Sequence, residues 1–336
     1  SDLAPRQFTF PADHGPHPGF AVEWWYVTGN LTDDSGQQYG YQFTIFRSSM
    51  RPPLAAPAYT SAWQSPDGYM GHLAVTDVAN QQFYAYERFS RAAIGLAGAQ
   101  QTPLRVWLDD WLMVATDADV RQLHLTARHG DIALDVRLDM DTPPVLQGDN
   151  GLSQKSAGNA SYYYSMPRLA SQGTIQIGDR QIDVTGTSWL DREWSTSALA
   201  PAQIGWDWFA LHLSDGSDVM IYHLRRRDGQ FDPYSGGSLR HANGRVTRLQ
   251  ADDIQVLPRG TWQSPHTGAV YPATWQLIVT PVQLDIIVTP LVADQELPVT
   301  IRYWEGAAAV SGTHAGTTIT GSGYLEMTGY ADASPK

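Results

Sequence analysis

Apolar and polar positions alternate along most of this chain, in short runs bounded by Gly, Asp, Asn or Pro. The clearest pair is Gln122-Leu123-His124-Leu125-Thr126-Ala127-Arg128 and Asp131-Ile132-Ala133-Leu134-Asp135-Val136-Arg137-Leu138, joined through His129-Gly130. A period of two sends successive side chains to opposite faces, so this pair predicts a hairpin with one wet and one dry face. The same pattern predicts strands over 22–31, 38–47, 70–77, 82–89, 104–108, 111–116, 121–127, 131–138, 173–178 and 181–191 in the first half. In the second half it predicts strands over 205–213, 217–226, 236–240, 244–248, 251–257, 273–280, 283–289, 299–304, 307–313 and 316–327. Helical periodicity is weak throughout. Two stretches break the meander: 48–66, rich in Ala, Pro and Ser, and 141–171, which carries Tyr162-Tyr163-Tyr164. The second is expected to be a long loop with a functional or lid role.

Segments of this pattern occur twice. VTGTSWLDREW (184–194) aligns without a gap on ITGSGYLEMTGY (319–330), matching Trp189 to Tyr324 and Asp191 to Glu326. Upstream, EWWYVTGNL (23–31) lies over GWDWFALHL (205–213), matching Trp24 to Trp206 and Leu31 to Leu213. Opening and closing strands thus recur in the same order, which predicts a domain duplicated in tandem. Many short up-and-down strands repeated as a unit predict two antiparallel β-barrels, each able to enclose an elongated apolar ligand. The expected division is an arm over 1–19, a first barrel over 20–195, a linker over 196–204, a second barrel over 205–330 and a tail over 331–336.

Composition narrows the function. A net charge of −12 disfavours a nucleic-acid partner, and Arg225-Arg226-Arg227 is the sole basic run. With no cysteine, disulfides and thiol nucleophiles are excluded. No run of 18 apolar residues exists, so no spanning helix is expected. The chain begins Ser1-Asp2-Leu3, from which we expect a removed leader and a secreted or periplasmic protein. No H-x-H or H-E-x-x-H spacing occurs among the histidines, so no metal and no cofactor are expected. His14 and His17 sit in a Pro/Gly-rich arm and are expected to be exposed. A G-x-S-x-G elbow is absent, and Gly321-Ser322-Gly323 reads as barrel geometry, so a serine hydrolase finds no support.

HPGFAVEWWYVTGNL (17–31), WLDREW (189–194), WDWFALHL (206–213), YWEG (303–306) and GSGYLEMTGY (321–330) together resemble the AttH-like proteins. These are relatives of carotenoid 1,2-hydratase within the calycin, or lipocalin-like, superfamily. The resemblance covers nearly the whole chain. It implies an all-β fold of tandem lipocalin-like barrels and a place in isoprenoid or lipid metabolism. It also implies that an arginine from the closing strand covers a tryptophan of the opening strand, here Arg192 with Trp24 or Trp25. The second repeat places Met327 near the position of Arg192, so only the first barrel is expected to carry the full device.

The residues that could carry chemistry cluster on these motifs. Glu23, Trp24, Trp25 and Tyr26 alternate faces on one strand and serve either as a ligand wall or as core filler. Asp191, Arg192 and Glu193 stand between Trp189 and Trp194, where buried charges need partners; they form either an ion-pair network or a ligand site. Asp207 lies between Trp206 and Trp208 in sequence, with His212 farther along. Hydrating an isolated alkene calls for a protonated acid beside aromatic faces that tolerate a carbocation, so the resemblance makes Asp191 and Asp207 the acids to test, with His212, His223 or Tyr222 handling the water. The plainer alternative pairs Asp207 with an arginine such as Arg192.

The leading expectation is a protein that holds a hydrophobic small molecule, isoprenoid or lipid, in the first barrel, with 189–194 and 205–212 as polar controls. The alternative is a hydro-lyase, isomerase or cyclase that protonates an isoprenoid double bond. A purely structural role would leave the charges of Asp191, Arg192 and Glu193 without a purpose. A station near a membrane surface is also expected. Oligomeric state is left open.

Overall fold

In the computed structural model, residues 3–49, 67–196 and 203–331 are described. The first region contains β1 (Val22–Thr32), β2 (Gln38–Ser49), β3 (Asp67–Asp77), β4 (Gln82–Arg91), β5 (Ala97–Gln100), β6 (Arg105–Leu108), β7 (Trp111–Ala115), β8 (Gln122–His129), β9 (Ile132–Asp139), β10 (Val145–Leu146), β11 (Leu152–Ser156), β12 (Asn159–Ile177) and β13 (Arg180–Ser195). The second contains β14 (Gln203–Leu213), β15 (Asp218–Arg226), β16 (Gly236–Arg240), β17 (Val246–Gln250), β18 (Ile254–Gln263), β19 (Val270–Val279), β20 (Leu284–Pro290), β21 (Glu296–Leu297), β22 (Tyr303–His314) and β23 (Thr317–Met327). Each set forms its own antiparallel sheet, curled into a barrel. The main strand orders are β4-β3-β2-β1-β13-β12-β9-β8-β7-β6-β5 and β17-β16-β15-β14-β23-β22-β20-β19-β18.

Curling follows from the alternation. In β8 and β9, Leu123, Leu125, Ala127, Ile132, Leu134, Val136 and Leu138 are buried while their neighbours are not, and Gly130 takes the left-handed turn between them at φ 60°. In the first barrel the β4 edge is tied by side chains to the β6–β7 turn and the end of β8. Arg88 of β4 bonds Asp110 and, at 2.8 Å, the Arg128 carbonyl, and Tyr86 stacks on His129 with ring centroids 4.0 Å apart. The interior between these walls is solid. Trp25, Phe43, Leu73, Met113, Leu125 and Tyr164 all belong to one packed core. At Gly71 a Cβ would come within 2.6 Å of the Leu108 side chain, which shows how closely the opposite wall approaches. The first barrel is therefore filled by its own residues, and the expectation that it holds the ligand's apolar body is corrected: space for a ligand has to be sought outside it.

The repeat aligns residue by residue in the ladder. Trp25, Tyr26 and Thr28 of β1 pair with Arg192, Asp191 and Trp189 of β13. Their counterparts Asp207, Trp208 and Ala210 of β14 pair with Met327, Glu326 and Tyr324 of β23. The barrels pack through the outer faces of these strands, where Tyr26, Tyr163 and Trp189 meet Trp208, Ala307 and Tyr324 in a third apolar cluster. The counterparts Tyr26 and Trp208 meet edge to face at 5.3 Å. Gly40 marks the closeness of the fit, because a Cβ there would lie 2.6 Å from the Tyr324 hydroxyl and 2.7 Å from the Ala307 methyl.

The stretch 141–171 is not a loop. It holds β10, β11 and the start of β12, which continues to Ile177 with one irregularity of register between Met166 and Leu169. Its tyrosines alternate as a strand requires. Tyr162 and Tyr164 enter the first core, whereas Tyr163 joins the inter-barrel cluster. The strand predicted over 307–313 is part of β22, which begins at Tyr303, so of the strand predicted over 299–304 only its last two residues are in a strand. Residues 50–66 and 197–202, covering most of the Ala/Pro/Ser stretch and of the linker, lie outside the described residues.

Candidate active site

The two faces of β1 and β13 carry different chemistry. Inward, Arg192 lies over the Trp25 ring, 4.1 Å from its centroid. It donates to the carbonyls of His14 (3.2 Å), Trp24 (2.8 Å) and Gly15 (2.6 Å), and to Glu23 Oε1 at 2.8 Å. Glu23 also accepts from Arg47 at 3.2 Å and meets the His17 ring at 2.6 Å. Burial alone would raise the Glu23 carboxyl, but Arg192 and His17 beside it bring it down to about 2. Trp194 faces the same interior and stacks on His17 at 3.7 Å. This is a floor whose one acid, Glu23, is fully engaged by cations, while the Trp194 indole nitrogen is buried without a hydrogen bond among the described residues. The floor also overturns the exposure expected for the arm. His14 is 7% exposed and lies 2.6 Å from the Tyr164 hydroxyl. Trp25, not Trp24, is the residue under the arginine.

Outward, three acids, Asp191, Glu305 and Glu326, make no ion pair among the described residues. Asp191, 4% exposed, accepts from Tyr163 Oη (2.7 Å), Ser165 Oγ (2.5 Å) and Trp189 Nε1 (2.7 Å). Burial pushes its carboxyl up to about 7; those neutral donors oppose the shift and Glu193 adds to it. Glu305 of β22 and Glu326 of β23 stand directly opposite each other in the ladder. Glu305, 1% exposed, accepts from the Tyr26 hydroxyl, and Glu326 accepts from Trp206 Nε1 at 3.0 Å. Burial raises both carboxyls well above the ordinary range. The charge of Glu326 adds to the shift at Glu305, and those of Asp191 and Glu193 add to it at Glu326. Beside them Glu193 accepts from Ser161 and pairs with Lys155 Nζ at 3.3 Å, and that ammonium sits over the rings of Tyr163 (5.3 Å) and Tyr222 (4.7 Å). Half-buried Trp24, Phe46, Trp206 and Tyr222 form the wall toward solvent, with Trp24 and Phe46 stacked at 5.8 Å.

Of the sequence candidates, the junction therefore gathers Asp191, Glu193, Trp24, Tyr26, Trp189, Trp206 and Trp208. Glu23, Trp25, Arg192 and Trp194 form the floor instead. Asp207 is corrected. It points into the second barrel, away from the two indoles, and pairs with Arg225 (2.9 Å), His223 (3.1 Å) and Tyr330 (2.8 Å). Strand alternation is the reason: neighbours in sequence cannot share a face. His212 is corrected as well. It meets Asp218 at 3.2 Å, in a charge cluster completed by Arg168 and Arg240. Glu305 and Glu326 were not singled out, although Glu326 is the repeat's counterpart of Asp191 and both lie in quoted motifs. Among the described residues no three His, Cys, Asp or Glu converge as a metal would need.

Tandem calycin-like barrels with an acid-lined seam define the class. The chain belongs to the AttH-like family, whose model matches residues 2–330. A crystal structure of an AttH-type protein from Nitrosomonas europaea is similar over 98% of this chain and 99% of that one, at 35% identity and TM-score 0.85. Kievitone hydratase from Nectria haematococca shares the fold over 97% of this chain and 94% of its own, at 18% identity and TM-score 0.75. CghA, solved with Sch210972, shares it over 94% and 90%, at 10% identity and TM-score 0.56. No curated protein matches the sequence.

Proposed function

We propose that the protein is a hydratase-type enzyme that adds water across a carbon–carbon double bond of an isoprenoid-like substrate, held at the junction of its barrels. The observation that carries this reading is the Glu305–Glu326 pair, opposite each other across the ladder, Glu305 buried and Glu326 half-buried, with no ion pair to either among the described residues. Two carboxyls so placed favour a state that shares one proton, which supplies an acid and a base together. Glu326 is the one nearer the aromatic mouth. Its proton goes to one alkene carbon, and the cation left on the other lies against the faces of Trp24, Trp206 and Trp208, which tolerate positive charge. Water adds to that carbon and gives its proton to the Glu305 carboxylate. Transfer between the opposed carboxyls then restores the starting state. The hydrophobic-ligand reading moves with the site: the apolar body of the substrate rests on Trp24, Phe46 and Trp206 instead of inside a barrel. The existence of a hydratase with the same fold supports this reading.

The test is a panel of prenylated phenols and open-chain isoprenoids incubated in H2(18)O, with products resolved by mass spectrometry. Incorporation of one labelled oxygen by the parent, reduced about 10²–10⁴-fold in Glu326→Gln, is expected. A rearranged or cyclised product without label would move the same acid to isomerase or cyclase chemistry. A parent inert on every member, or an unimpaired Glu326→Gln, would overturn the proposal.

A further inference from the structure

A row of hydrogen-bonding groups leads out of the acid pair and takes no part in the steps above. His72 on β3 stands directly across the ladder from Glu87 on β4, and its Nε2 lies 2.8 Å from Glu87 Oε2. Its Nδ1 lies 2.7 Å from the hydroxyl of Tyr303, which comes from the other barrel. Tyr303 in turn stands two positions from Glu305 on the same face of β22, and each of the two groups shifts the other's acidity. Glu87 sits at the rim, where its Oε1 accepts from the Thr300 backbone (3.1 Å) and hydroxyl (2.6 Å).

The donors and acceptors fix a direction. Glu87 is held ionised, its carboxyl kept low by Thr300 and His72 against the effect of burial, so it requires a proton on Nε2 of His72. Nδ1 is then an acceptor and takes the Tyr303 proton. Gln42 Nε2 donates to the tyrosine oxygen at 3.1 Å, and its remaining lone pair suits the proton of a neutral Glu305. When Glu305 loses that proton the row can reverse. An imidazolium at His72 passes its Nδ1 proton to Tyr303, which passes its own to Glu305, so one proton enters at the rim and one arrives inside. Burial lowers the His72 pKa and Glu87 opposes that shift, so the ring rests neutral, able to take a proton and release it. The titratable groups facing His72 are Glu87 from β4 and Tyr303 from β22, with Glu305 and Glu326 behind the tyrosine.

We infer that Glu87, His72 and Tyr303 form a proton route between solvent and the Glu305–Glu326 pair, in which His72 and Tyr303 are positioning residues that keep the pair's single proton in exchange with solvent. The route's purpose rests on the hydratase reading; its existence is tested without substrate. Infrared spectroscopy of the intact protein in H2O shows the carbonyl stretch of a buried neutral carboxyl, assigned by its loss in Glu305→Gln, and its shift after transfer to D2O times the exchange. Tyr303→Phe, which removes one oxygen, and His72→Gln are each expected to slow that shift about 100-fold, while the Asp191 band keeps its rate. Glu87→Gln is expected to slow it less. Exchange at the parent's rate in both Tyr303→Phe and His72→Gln, or no Glu305 band at neutral pH, would overturn the route. A parent that exchanges through these residues yet hydrates no alkene would count against the hydratase reading and leave the route standing.

Discussion

Opposite faces of the same two strands hold acids in opposite states. On the inner face of β1, Glu23 is gripped by Arg192, Arg47 and His17 and ionises at about 2. On the outer face of β13, Asp191 is equally dry but meets only neutral donors, and rises to about 7. Burial is common to both, so the difference comes from the presence or absence of a countercharge. The second barrel repeats the contrast with other residues. Asp207 has its arginine in Arg225, while Glu326 has an indole. A paired acid braces a barrel. An unpaired one destabilises the fold when it ionises, and is available as a proton donor.

The sharpest way to break this contrast is to remove the countercharge. Arg192→Ala strands Glu23 and the arm's carbonyls in a dry floor, and should cost about 3–5 kcal/mol in chemical denaturation. A parent-like midpoint would show that the floor is not a brace. Asp191→Asn tests the other side. Because the folded pKa of Asp191 lies above its unfolded value of 3.8, its contribution is complete below that value and is lost as pH rises through about 7. The asparagine variant should therefore gain on the parent by about 4 kcal/mol between pH below 3.8 and pH above about 7. Glu23 has the reverse sign: its contribution holds above about 4.5 and is lost as pH falls toward 2, about 3 kcal/mol that Glu23→Gln should remove from the acid limb. Parallel stability–pH curves for the parent and either variant would break the comparison. Asp207→Asn should lower stability by about 1–3 kcal/mol and leave turnover of any substrate found unchanged. A selective loss of turnover would return Asp207 to the active site. The smallest effect belongs to Trp24→Leu, which takes away one aromatic face worth about 0.5–2 kcal/mol and should slow hydration roughly two- to thirtyfold with little change in KM.

Much of the fold could be read from alternation and from the repeat, because both report which face of a strand is dry. β8 and β9 sit where the pattern puts them, and Asp191 and Glu326 are counterparts in the ladder as in the alignment. β12 was hidden because it is dry on both faces at its start: Tyr162, Tyr163 and Tyr164 are all buried, so no alternation survives in sequence. The site was half legible. Asp191 stood out among charges beside tryptophans, but Asp207 looked the same and faces the other way. Glu305 lay in YWEG with nothing local to mark it. Its meaning comes from Glu326 across the ladder and from Tyr26 in the other barrel, contacts separated by hundreds of residues in Tyr26's case.

Gly40 gives the seam its spacing. Any side chain at that position would act as a wedge, since the Tyr324 hydroxyl and the Ala307 methyl already occupy its volume. Parting the halves by the thickness of a methyl group would admit solvent to Glu305 and Glu326 and return both to ordinary acidity. The reactivity of the pair is thus governed from a backbone position that carries no functional group of its own.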